Sequence, residues 1–149
     1  MLTDAPTPEL AWSDALVLGY APLDDVHEEF VEVLAHLKRC ADTELSAALD
    51  AVITHAESHF ALEDRWMRDT EFPPRACHID EHAAVLQSAY EVRDLLKSGN
   101  TVATRDFAEA LIRWFPGHAT HLDSALSHWM FKRQHAGKPV VFRRTIAPR

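Results

Sequence analysis

The sequence predicts an all-α fold, an up-down-up-down antiparallel four-helix bundle with an irregular N-terminal arm and a basic C-terminal tail. Three observations lead there. Glycine is scarce, with 4 residues in 149, and the middle of the chain is rich in Leu, Ala, Glu and His, which favour helix over sheet. Similar amphipathic segments succeed one another, with apolar residues at helical spacing. Breakers stand between them ("EFPP" at 71–74, "SGN" at 98–100, "GKP" at 137–139), and short connections between long helices make antiparallel neighbours.

The arm, about residues 1–20, is irregular and has Trp12 as its one large anchor. A first helix is expected at about 22–41, with Val26, Phe30, Val33, Leu34 and Leu37 on one face. A second is expected at about 45–70, with the hydroxyl of Thr43 or Ser46 as its N-cap. The third, at about 75–97, ends at "SGN". The fourth, at about 104–134, starts from a Thr104 cap and contains Pro116, which removes a hydrogen bond to the Ile112 carbonyl and kinks the helix. The tail, about 135–149, holds a small apolar knot of Val140, Val141 and Phe142.

A chain of this length makes one domain, read here as 1–149, and is long enough to bury a core. The net charge of −8 is uneven. Residues 132–149 carry six cations and no acid, so the remainder stands at −14. A body that acidic repels phosphate and excludes nucleic acid as a partner; the basic tail suits an acidic protein partner. Cys40 and Cys77 form no CxxC pair and no disulfide framework, and the reduced thiols point to a cytoplasmic protein. Cys77 reads as a packed thiol. No segment approaches 18 apolar residues, and the N-terminus lacks the basic and apolar regions of a secretion signal.

Ten histidines are the compositional anomaly. Residues four apart on a helix stack one turn above each other. His59 and Glu63 meet that condition in helix two, and so do His78 and His82 in helix three. Helix one offers His27 beside apolar Val26 and Phe30, and helix four offers "HATHLD", with His118, His121 and Asp123. A single histidine on an apolar face is ordinary core, but strong ligand types on all four helices of one bundle are hard to explain as packing. Periodicity alone ranks His55 equal to His59, and it sets His118 and Asp123, five apart, about 140° from each other.

The series His27, "HFALE" (His59, Glu63), "HIDEH" (His78, His82) and "HATHLD" (His118, Asp123) resembles the hemerythrin family, more closely its bacterial single-domain members. "W-x-D" at Trp12 and Asp14, "LDDVH" before His27 and "WFPGH" before His118 also match, so the resemblance runs from Trp12 to about His128. It implies a non-haem di-iron centre with a bridging oxo or hydroxo group that binds O2 reversibly, for storage, transport or delivery to an oxygen-consuming enzyme. By the same resemblance Glu63 and Asp123 bridge the irons, His78, His82 and His118 complete one, and His27 and His59 serve the other. Phe30, Phe60, Trp114, Phe115 and Ala119 would then surround the O2 pocket. Such a set fills all but one position around two six-coordinate irons, and imidazole and carboxylate without thiolate suit iron. The resemblance implies an oxygen-binding monomer rather than an enzyme.

His36, His55, His121, His128 and His135 are left over. His55 is the chief competitor, as a group behind the ligands or a core edge, and Asp64 is expected to pair with Arg68 one turn on. Three other functions stay open. A ferritin-like di-iron oxidase or peroxidase would need Glu-x-x-His pairs, which this sequence lacks. A sensor of O2, NO or redox state, and a structural bundle holding zinc, are the others.

Overall fold

In the computed structural model, which describes residues 9–134, the helical stretches become Ala21–Arg39 (α1), Leu45–Asp69 (α2), Arg75–Lys97 (α3) and Thr101–His118 (α4). The fourth rod continues through a π-helical turn, Ala119–Asp123, into Ser124–Gln134 (α5). Helix α1 packs on α2, α2 on α3, α3 on α4, and α4 back on α1, which is the closed circuit of an all-α four-helix bundle. Among the described residues there is no strand, and no helix is long and apolar enough to cross a membrane. The apolar knot Val140–Phe142 and the tail 135–149 lie outside the described residues.

Each helix buries one stripe. In α1 that stripe is Leu23, His27, Phe30, Val31, Leu34 and Leu37; Val26 and Val33 are only half-buried at its edge. The arm is tied to α1 by Asp24, whose carboxylate accepts from the amides of Leu18 (2.8 Å) and Gly19 (3.1 Å). Trp12 packs against the main core, as an anchor should.

The helix ends show where side-chain chemistry and expectation part. Neither Thr43 nor Ser46 caps α2, which grows directly out of a 3-10 turn, Asp42–Glu44. Helix α4 starts at Thr101, not about 104, because Asn100 is its cap: the Asn100 side chain accepts from the Ala103 amide at 2.9 Å. Thr104 is buried one turn inside. Asn100 also closes α3, since its amide reaches the Leu95 carbonyl at 3.0 Å while the Gly99 amide reaches Leu96 at 2.9 Å. That double closure requires a left-handed residue, and Gly99 supplies it at φ 92°. Helix α2 ends in the same way, with Phe72 bonded to Met67 and Glu71 to Arg68, but here Glu71 takes the left-handed position at φ 54°. Phe72 and Met67 are buried together beside Leu126, the apolar contact that accompanies this closure.

The apolar interior comes in two unequal pieces. A large cluster at the Gly99 end holds Phe30, Leu34, Leu37, Leu49, Ile53, Leu111, Ile112 and Phe115 among others. A small one at the Phe72 end holds Met67, Phe72 and Leu126. In α2, His59 and Glu63 fall between the Ile53 cluster and Met67, so the break in the core is polar.

The two closures predict opposite effects. Gly99→Ala places a Cβ in open space but in an unfavourable backbone region, and should cost about 1 kcal/mol in urea unfolding. Glu71→Gly should instead stabilise by up to about 1 kcal/mol, and an equal loss from both would refute this account of the turns.

Candidate metal centre

The break in the core is built from seven side chains: His27 of α1, His59 and Glu63 of α2, His78 and His82 of α3, His118 of α4 and Asp123 of the π-turn. All seven are buried, none more than 4% exposed. Burying two carboxylates among imidazoles is costly unless each finds a counter-charge. The structure brings all the expected ligand residues together, and their atoms fall into two groups. Glu63, His78, His82, His118 and Asp123 each aim one atom into a space where all lie within 4.8 Å of one another; His27, His59 and Glu63 do the same beside it.

The carboxylates are divided between the groups. Asp123 turns Oδ1 to His78 (2.9 Å) and His118 (3.2 Å), and Oδ2 to His27 (3.0 Å). Glu63 turns Oε1 to His78 (3.3 Å) and His82 (3.6 Å), and Oε2 to His59 and His27. Glu63 therefore belongs to both groups, while Asp123, a member of the first, turns its second oxygen to His27 alone; three histidines stand on one side and two on the other.

Asp123 reaches this place because the helix widens. On an α-helix it would point away from His118, but in the segment Ala119–Asp123 the Ser124 amide bonds to the Ala119 carbonyl five residues back. Residues five apart then share a face. The Ser124 hydroxyl donates to the Thr120 carbonyl (2.5 Å), the acceptor its own amide would have used in an α-helix. Pro116 lies inside α4, and the widening follows three residues after it.

Around the seven lies a second ring of contacts, part of which the sequence concealed. His82 Nδ1 lies 2.8 Å from Asp64 Oδ1, so Asp64 serves an imidazole on α3 rather than pairing with Arg68 as expected. Glu81 was not singled out, yet its Oε1 accepts from His118 Nδ1 (2.7 Å) and from the Trp114 indole (2.9 Å). The available signal was that a metal-bound histidine needs an acceptor for its outer N–H, and Glu81 is an acid inside "HIDEH". His55 joins neither group. Its Nε2 lies 3.0 Å from the Val26 carbonyl and its ring stacks on Phe30, so it ties α2 to α1. Burial and the neighbouring His59 lower its pKa. His36, His121 and His128 are exposed, and His135 lies outside the described residues. Cys77 is exposed, not packed, because it faces outward beside buried His78.

The expected pocket residues also assemble. Phe115 sits 5.1 Å, ring centre to ring centre, from both His27 and Phe30, and Phe30 lies 5.8 Å from His59. Phe60 stacks on His82 at 4.1 Å and Trp114 on His118 at 4.3 Å. Ala119 is buried in the same core.

The donor atoms fit metal rather than one another. Nε2 of His27, His59 and His78, and all four oxygens of Glu63 and Asp123, are buried without a hydrogen-bond partner. His82 and His118 give their Nδ1–H groups outward, so their Nε2 lone pairs face each other at 3.2 Å. Two nitrogens each about 2.1 Å from one ion and at right angles lie about 3 Å apart, which is this spacing. Imidazole and carboxylate without thiolate match iron, and two adjoining groups that share Glu63 match a pair of ions.

Without metal, protons take the cations' place. Burial pulls the His27 and His78 imidazoles down, but the Asp123 and Glu63 carboxylates outweigh it and raise both to about 9. Burial and Asp123 push Glu63 up, yet His59 and His27 hold it at about 2. Burial likewise opposes, and His118, His27 and His78 overcome it, to keep Asp123 well below the usual carboxylate range. For both histidines the folded value lies above the ordinary 6.5, so the stability they lend the metal-free protein is complete below pH 6.5 and lost as pH rises through about 9. Melting temperature of the metal-free protein should therefore fall between pH 6.5 and 9, and iron loading at pH 7 should release protons. A flat melting profile across that interval would contradict this assignment of charge.

Comparison with known proteins agrees with the geometry. Residues 18–129 match the family profile described as the Hemerythrin HHE cation binding domain. A bacteriohemerythrin of Ralstonia nicotianae is 36% identical over 126 residues, which cover 85% of this chain and 92% of that protein. A bacteriohemerythrin of Aquifex aeolicus is 30% identical over 72% of this chain and 86% of its own length. One from Stenotrophomonas maltophilia is 29% identical over 78% of each. With the match spanning most of the bundle and a buried His/Glu/Asp cluster that points to a di-iron site, the chain belongs to the hemerythrin family.

Proposed function

We propose that this protein binds O2 reversibly at a di-iron centre, for oxygen storage, transport or delivery. The observation that carries the reading is the unequal division of five histidines around two buried carboxylates, Glu63 with an oxygen in each group and Asp123 reaching from the first group to His27. In that reading His78, His82 and His118 would hold one iron, His27 and His59 the other, and Glu63 and Asp123 would serve both. Two ferrous ions held there would supply the electrons and the binding position for a single small ligand.

The chain's own residues then keep that capture reversible. Phe30, Phe60, Phe115 and Ala119 are almost fully buried, and with Trp114 they wall the cluster with carbon. Excluding water removes the proton source and the competing ligand that would drive loss of reduced oxygen. Asp64 and Glu81 hold His82 and His118 by their outer nitrogens and fix the tautomer that points Nε2 inward. The absence of a Glu-x-x-His pair in the sequence disfavours the ferritin-like oxidase or peroxidase alternative. A cytoplasmic site of action agrees with the free cysteines Cys40 and Cys77. The oxygen recipient would be an oxygen-consuming enzyme, and a monomer is the working form.

Anaerobic loading with ferrous iron should give two irons per chain. Air should then raise a visible charge-transfer band that disappears on degassing over repeated cycles. Immediate irreversible oxidation would favour a redox sensor or an enzyme, and fewer than two irons per chain would sink the proposal. Glu63→Ala should lose most bound iron, whereas His55→Ala should retain it; retention by Glu63→Ala would remove the bridging role.

A further inference from the structure

The two halves of the centre are not built alike. On the three-histidine side five ligand residues already converge within 4.8 Å, against three on the other. Their neighbouring donor separations there are even, from 2.9 to 3.6 Å. A second observation is independent of the first. Two of the three histidines on that side, His82 and His118, give their outer nitrogens to the carboxylates of Asp64 and Glu81. The third, His78, has its Nδ1 buried without a partner, and on the other side the same is true of both His27 and His59, so the first side has two held imidazoles and the second has none.

From this asymmetry, and resting on the dinuclear reading above, we propose that the two metal positions fill in a fixed order. The His78/His82/His118 position takes its ion first and more tightly, and Asp64 and Glu81 are the positioning residues that set the order. The physical reason has two parts. An imidazole whose Nδ1–H is already donated has one tautomer and one ring orientation, so no freedom is lost when Nε2 meets a cation. A carboxylate at the far nitrogen also makes the imidazole a stronger donor. His27 and His59 have neither advantage and must choose tautomer and orientation as the ion arrives. Glu63 and Asp123, already held by the first ion through one oxygen each, then present the second oxygen to the incoming one. The one-metal protein is thus a distinct species, not a statistical mixture of two.

The metal-free full chain would be titrated with cobalt(II) under anaerobic conditions, read by calorimetry and by visible ligand-field absorption. The first equivalent should bind at least about 10-fold tighter than the second, and with its own spectrum. Asp64 and Glu81 are partly exposed, so Asp64→Asn with Glu81→Gln keeps hydrogen-bonding shape while removing charge. That double variant should weaken the first event about 10- to 100-fold and leave the second nearly unchanged. His59→Ala should preserve the tight event and its spectrum, and His82→Ala should abolish it. Two equivalents binding in a single event, or a tight event that survives His82→Ala and vanishes in His59→Ala, would overturn the order while leaving the dinuclear reading in place. An unchanged first event in the Asp64/Glu81 variant would likewise remove both residues from the role. Binding of fewer than two ions in wild-type protein would overturn the dinuclear reading and the order together.

Discussion

Two carboxylates buried at the middle of an apolar bundle govern the rest of this molecule. Glu63 and Asp123 are fully buried, and neither finds a hydrogen bond. Such groups are tolerated only if positive charge stands against both oxygens of each. Five imidazoles from three α-helical rods and the end of a fourth surround them, and the carboxylates raise two of these, His27 and His78, to about 9. The need explains why the core is interrupted where it is, why all four rods contribute, and why α4 leaves α-helical geometry to bring Asp123 in.

Around that centre the structure separates two tasks. Apolar residues on one side, from Phe30 to Ala119, supply the large core and most of the burial that stabilises the bundle. Asp64 and Glu81, on the partly exposed flank, aim the imidazoles without entering the cluster. His55 belongs to a third class: it ties α1 to α2 behind His59 and keeps out of both groups.

Much of this was legible in the sequence, and the unreadable part has a common cause. Helical spacing and the breakers at 71–74 and 98–100 marked the rods, and ligand types on each rod marked the site. What one-dimensional spacing could not show was anything fixed by a partner on another helix. Asp64 looked like a neighbour of Arg68 and instead meets His82; Glu81 drew no reading from spacing, and its partner His118 lies on another helix. His55 and His59 were equal by periodicity; in the fold His59 meets Glu63, whereas His55 turns to the Val26 carbonyl on α1. The start of α4 was misplaced because Thr104 has a capping residue type, whereas Asn100 already had a place in the preceding turn. Asp123 could not be reached by α-helical arithmetic at all, since its side depends on a backbone pattern that residue types do not announce.

The π-helical turn has a consequence for how the fourth rod must be read. One extra residue per turn shifts the angular phase of everything beyond it by about 100°. The rod therefore carries two amphipathic registers joined end to end, one through Phe107, Leu111 and Phe115, the other through Leu126 and its partners Trp129 and Met130. A single helical wheel drawn through residues 101–134 averages the two and hides both. The change of register falls on Asp123, so the carboxylate that the fourth rod brings to the centre also marks the join between the two halves of the helix's sequence pattern.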